Sequence, residues 1–89
     1  MTDTLTTENA DSTIDVTGES CPMPVVRTRQ AVDDLAVGEV LEVLATDAGS
    51  VSDIDGWAGS VDEVELRAQA ENEEDGRVVY RHYVERVDG

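Results

Sequence analysis

The single cysteine of this 89-residue chain, Cys21, stands in the run Gly18-Glu19-Ser20-Cys21-Pro22-Met23-Pro24, which also holds both prolines. A thiol becomes a nucleophile when it ionises, so its surroundings decide its chemistry. A short apolar alternation, Ile14 and Val16, precedes the run; Val25, Thr28, Val32 and Leu35 follow it at helical spacing. The cysteine therefore sits where a strand hands over to a helix. Proline is tolerated in a first helical turn, because its missing N–H would lack an intrahelical partner anyway. With Pro22 as the first helical residue, Cys21 is the N-cap, and Met23 and Val25 are the nearby N–H donors. The positive end of the helix dipole and those donors favour a thiolate, which predicts a thiol pKa below the roughly 8.5 of free cysteine. Gly18 allows the turn that presents the sulfur.

The elements that position this turn can be read in order. Residues 1–12 are mostly Thr, Asp, Glu, Asn and Ser with a lone Leu5, which predicts a disordered acidic tail ahead of a single domain over 13–89. Thr13 to Val16 reads as a strand and Pro22 to Leu35 as a helix, its apolar stripe facing a sheet and Thr28 at the stripe's edge. Val40 to Ala45 is nearly all apolar and suits a central strand. Ser50-Val51-Ser52-Asp53 has the shape of a capping box with Asp in the place of Glu, opening a second helix that Gly56 and Gly59 keep short. Trp57 on that helix reads as a core anchor. Val64 to Glu71 alternates strictly, 72–76 is a polar hairpin loop, and Val78 to Val87 is the partner strand. His82 on it reads as a strand residue with no chemical task. This β-α-β-α-β-β order predicts an α/β two-layer sandwich (α+β): a four-stranded mixed sheet with both helices on one face. A right-handed crossover makes the first two strands parallel, and the last two form an antiparallel hairpin.

Cys-Pro-x-Pro after a short strand, with Gly three residues before the Cys, resembles the TusA-like (SirA-type) sulfur-carrier family. Ile14-Asp15-Val16-Thr17-Gly18 is similar to the family's first strand and turn, and Leu35-Ala36-Val37-Gly38-Glu39 to its helix-to-strand turn. Thr46-Asp47 and Asp53-Ile54-Asp55-Gly56-Trp57 resemble its acidic loop and second helix. The likeness runs over roughly residues 13 to 87. It implies the same two-layer fold and a persulfide on Cys21, charged by a cysteine desulfurase or similar donor. The sulfur would pass to an acceptor protein in tRNA thiolation or molybdenum-cofactor synthesis. Arg29 falls where the family has a basic helix residue and Asp47 where it has an acidic one. One family variant places a second Cys after the Trp; here Ala58 stands there, which excludes a mechanism needing a second local thiol.

Read from residue chemistry alone, Arg27 and Arg29 are either surface helix residues, with Asp33 and Asp34 in pairing range, or aids to an anionic sulfur or a docking partner. Asp47 reads as a turn residue, and a docking or thiol-tuning role for it is what the family resemblance implies. One cysteine excludes an internal disulfide, and with only His82 beside it no structural zinc framework is available. No nucleotide-binding loop is present, so no cofactor is expected and the chain would relay sulfur, as a sulfurtransferase-type carrier, without completing a biosynthesis alone. There is no signal-peptide pattern and no apolar run near membrane-spanning length, which predicts a cytoplasmic chain that does not enter a membrane.

Asp and Glu number 21 against 6 Arg and no Lys, a net charge of −15. That argues against direct nucleic-acid binding, where phosphates need basic neighbours. The acid is either a docking surface for a basic partner or a halophile-like surface adapted to high salt; its spread over both ends and the middle favours the second. Against the carrier stands a non-catalytic interaction or regulatory module, in which the proline turn only shapes a helix start. A thiol–disulfide redox protein is disfavoured by the lack of a resolving cysteine.

Overall fold

The computed structural model describes residues 10–20 and 22–88. Its elements follow in the order β1 (Ser12–Val16), α1 (Met23–Val32), β2 (Val40–Ala45), α2 (Gly49–Ser60), β3 (Val64–Glu74) and β4 (Arg77–Arg86). One mixed sheet runs β1-β2-β4-β3, with β1 parallel to β2 and β4 antiparallel to both its neighbours. Leu41, Val43 and Ala45 of β2 and Val84 of β4 pack against Val32 of α1 and Ile54 and Ala58 of α2, so both helices lie on one face. This is the two-layer arrangement that the sequence order predicts.

Boundaries differ from the sequence reading where distant groups intervene. β1 begins at Ser12, and Asp11 already belongs to the sheet edge: its N–H donates to the Val40 carbonyl at 2.8 Å, and its carboxylate accepts the Val40 N–H at 2.8 Å. Asp11 and Ser12, expected in the tail over 1–12, therefore belong to the sheet, and residues 1–9 lie outside the described residues. α1 ends at Val32 instead of Leu35. Arg86, far along the chain, donates from Nη1 to the carbonyls of Val32 (3.0 Å), Leu35 (3.1 Å) and Asp33 (3.4 Å). That guanidinium satisfies carbonyls a helix end leaves orphaned, so the chain can turn away early while Leu35 stays buried. Thr28 is fully buried, not at the edge of the stripe, because its hydroxyl donates to the Pro24 carbonyl at 2.7 Å.

α2 runs through both glycines to Ser60. A Cβ at Gly56 or Gly59 would meet nothing within 4 Å, so neither is required by packing and neither stops the helix. The capping box expected at Ser50 does not form. Ser50 lies inside the helix, buried, with its Oγ 3.0 Å from His82 Nε2. Asp47 opens the helix instead: its carboxylate accepts the Gly49 N–H at 3.2 Å and its carbonyl the Ser50 N–H at 3.0 Å.

The hairpin loop expected over 72–76 contracts to Asp75-Gly76, with φ of 53° and 81°. Both values are left-handed, as the favoured two-residue hairpin turn demands, and Asp-Gly is a pair that tolerates them. The alternation expected of β3 is interrupted by a bulge at Arg67: Leu66 opposes Val84, but Ala68 opposes Tyr83. The extra residue turns Gln69 to the helix side, opposite His82. On the helix-free face, Glu42 is buried in mid-β2. Its carboxylate accepts from Tyr83 Oη at 2.8 Å and Thr13 Oγ1 at 3.2 Å, and pairs with Arg81 at 3.4 Å. A buried carboxylate needs such partners to offset its lost hydration.

Candidate functional site

β1 and β2 are parallel and end level with each other, Val16 opposite Ala45. Both helices therefore begin at the same end of the sheet, where the two connections leave it. In the first connection Thr17 donates from its hydroxyl (2.6 Å) and its N–H (2.9 Å) to Asp15 Oδ1. Those bonds, with Arg77 nearby, hold the Asp15 carboxyl below its usual pKa. Gly18 takes a φ of +83°, and the Glu19 N–H closes the turn on the Val16 carbonyl at 3.1 Å. The Gly18 N–H also donates to Thr46 Oγ1 at 2.8 Å, tying this turn to the end of β2. A side chain at Gly18 would be strained at that φ although space is open.

The chain then passes from Ser20 to Pro22, both exposed. Cys21 itself lies outside the described residues. The helix cap expected at Cys21 falls on Pro22, and α1 starts at Met23 with Pro24 in its first turn. The Met23 N–H, expected to face the sulfur, is instead committed to the Ser20 carbonyl at 3.0 Å. Met23 keeps 38% of its surface exposed, whereas Pro24 is buried and roots the turn in the core. The two proline positions thus divide their work: one shapes the surface and the other anchors it.

The candidate charged groups separate. Arg27 reaches back to Glu19, Nη2 to Oε2 at 3.5 Å, and so flanks the turn. Both groups are solvent-accessible, so the pair adds little stability. Arg29 points elsewhere, into a 370 Å³ cleft lined by Trp57, Gln30, Val61 and Arg86, between the helices. Trp57 is half-buried there, packed against the core. Asp47 holds the first turn of α2, beside Thr46 and hence beside the Gly18 turn.

His82 is fully buried and bonded through both ring nitrogens, Nε2 to Ser50 Oγ and Nδ1 to Gln69 Nε2, each at 3.0 Å. Gln69 Nε2 also donates to the Val51 carbonyl at 2.9 Å, which assigns Nδ1 as acceptor and Nε2 as the protonated nitrogen. Burial pushes its pKa down to about 4. His82 is thus a neutral pin between β3, β4 and the start of α2, a structural task that sequence did not suggest. Glu19 and Thr46 were missed too. Glu19 stands within the motif run and could have been weighed; nothing local marked Thr46 as the anchor of Gly18.

Comparison with known proteins agrees with this geometry. The family model described as sulfurtransferase TusA matches residues 12–86. A candidate sulfur carrier protein of Halobacterium salinarum is 61% identical over 75 residues, covering 84% of this chain and 88% of that one. The sulfur carrier protein TusA of Allochromatium vinosum is 42% identical over 48 residues, 54% of this chain and 63% of its own length. Among solved structures, a SirA-like protein of Desulfitobacterium hafniense superposes with a TM-score of 0.62 at 28% identity, over 82% of this chain and 95% of the other.

Proposed function

Because the chain belongs to the TusA sulfurtransferase family, we propose that it carries sulfane sulfur as a persulfide on Cys21. The Cys21 thiolate attacks the terminal sulfur of a donor persulfide. The donor's S–S bond breaks, its electron pair leaves on the donor thiolate, and the new S–S bond on Cys21 carries the terminal sulfur. An acceptor thiolate discharges it by the same exchange, so no outside oxidant or reductant is consumed. A cysteine desulfurase or a similar enzyme is the donor. An acceptor protein in tRNA thiolation or molybdenum-cofactor synthesis is the recipient.

The observation that carries this reading is the exposure of Ser20, Pro22 and Met23, the described neighbours of Cys21, at the end of the sheet where α1 and α2 both begin. A sulfur held there is open to a second thiol, and the helix dipoles favour its anionic form. Gly18, Pro22 and Pro24 hold the turn; Arg27 and Asp47 tune or dock beside it, and Arg29 serves docking through the interhelical cleft. A cytoplasmic place fits, since a lone thiol stays reduced there.

Incubation with a cysteine desulfurase, its cofactor and free cysteine is expected to add one sulfur atom's mass to the chain. Reductant should remove it, and Cys21→Ser should never gain it. If donors that demonstrably form their own persulfide leave the wild-type mass unchanged, the carrier reading fails and the interaction module replaces it.

A further inference from the structure

The β3–β4 hairpin is longer than the sheet it belongs to. β2 pairs with β4 only as far as Ala45 opposite Tyr80, yet β3 and β4 stay paired to Glu74 opposite Arg77. Arg77, Val78 and Val79 therefore project past the ends of β1 and β2 by about 10 Å, at the rise of an extended chain. They do so at the end of the sheet from which the Cys21 connection leaves, and Arg77 is close enough to act on the Asp15 carboxyl of β1.

Side chains alternate along a strand, so the helix-side position of His82 puts Tyr80 and Val78 on the same side. Their partners across the ladder are Glu71 and Glu73. Beyond the start of α2 no helix covers this stretch: Glu71, Glu73 and Val78 are exposed. Among the described residues three large hydrophobic side chains are left exposed, Met23 (38%), Val78 (37%) and Val37 (59%). Two of them, Met23 and Val78, stand on this end, one in the Cys21 run and one on the arm. The arm thus forms a shelf with an apolar middle and an acidic rim of Glu71, Glu73 and the turn residue Asp75.

We propose that this shelf seats a protein partner whose basic rim surrounds the thiol that exchanges sulfur with Cys21. The proposal rests on the persulfide reading and adds the surface that brings the second thiol into line. An apolar centre within a charged rim is the usual anatomy of a transient interface, and rim charges act mainly on encounter rate.

The test uses the protein donor that charges the wild-type chain, at low salt, with sulfur uptake followed by mass. Glu71→Lys/Glu73→Lys is expected to be charged about 10-fold more slowly, and Val78→Ser about 3-fold more slowly. Asp34→Lys/Asp62→Lys changes the net charge equally at the far end of the molecule and should stay within about 2-fold of wild type. Inorganic polysulfide, which needs no docking, should charge every variant alike, and a wild-type circular dichroism spectrum and melting midpoint show that each is folded. Equal rates for shelf and far-end variants overturn the proposal. So does a concentration-dependent dimer of the wild type that Glu71→Lys/Glu73→Lys abolishes, because a second copy would then occupy the shelf. Failure of polysulfide to charge the wild type strikes the persulfide reading instead.

Discussion

The two ends of the sheet are built differently. At the end where α1 finishes, Arg86 is a hub. Its side chain holds three carbonyls of the α1 terminus, its N–H donates to the Glu39 carbonyl at 3.0 Å, and its carbonyl accepts the Gly38 N–H at 2.6 Å. Val87 adds a bond to Glu63 at 2.8 Å. At the other end, among the described residues, one hydrogen bond to Thr46 ties the Gly18 turn across the sheet, and exposed Met23 and an overhanging hairpin stand there. One end spends its polar groups on closing the fold, while the other leaves surface for a partner. A relay needs that asymmetry, because its reactive turn must meet other proteins without the core opening.

The largest test is Arg86→Met, which removes the hub but keeps much of the apolar stem. Losing charge-assisted bonds to half-buried carbonyls should cost about 2–3 kcal/mol in urea unfolding, with little change in uptake of sulfur from polysulfide. A loss under about 0.5 kcal/mol would mean the closed end is held by packing alone and that the contrast between the ends is overdrawn.

Next comes His82, the buried pin beneath the start of α2. It stays neutral in the folded chain down to about pH 4, whereas the unfolded chain takes up a proton near 6.5. Its contribution is complete above pH 6.5, falls as the pH drops towards 4, and changes no further below that. The loss across this window is at most about 3 kcal/mol. His82→Gln should show a correspondingly shallower fall in stability between pH 6.5 and 4, measured by denaturant unfolding against wild type. Parallel curves would show that His82 is protonated in the folded state, and would leave the α2 start without its pin.

The smallest effect concerns charge. Acid lies at both ends, Asp33, Asp34 and Asp62 at one and Glu71, Glu73 and Asp75 at the other. If self-repulsion is screened in use, lowering salt from molar to millimolar should depress the melting temperature by about 5 °C, roughly 1 kcal/mol for a domain this small. Relief by lysine pairs should be similar at either end, because repulsion depends on total charge, while sulfur transfer from a protein donor should respond at the hairpin end alone. A midpoint indifferent to salt would make the whole acidic surface a docking feature.

Local patterns decided much of this protein. Cys-Pro-x-Pro after Ile14 and Val16 marked the strand-to-helix turn, the element order set the mixed sheet, and the resemblance extended over nearly the whole domain. These were legible because apolar periodicity and proline geometry act within a few residues. Tertiary contacts decided the rest. α1 stops at Val32 because Arg86 arrives from β4, and Ser50 is a buried partner of His82, not a cap, because a bulge at Arg67 turns Gln69 under it. Arg27 and Arg29 look equivalent in sequence, yet only Arg27 flanks the turn, since residues two apart on a helix face different ways. The overhang of the hairpin was hidden for the same reason: it depends on where β2 ends beside β4, a length that no window of sequence contains.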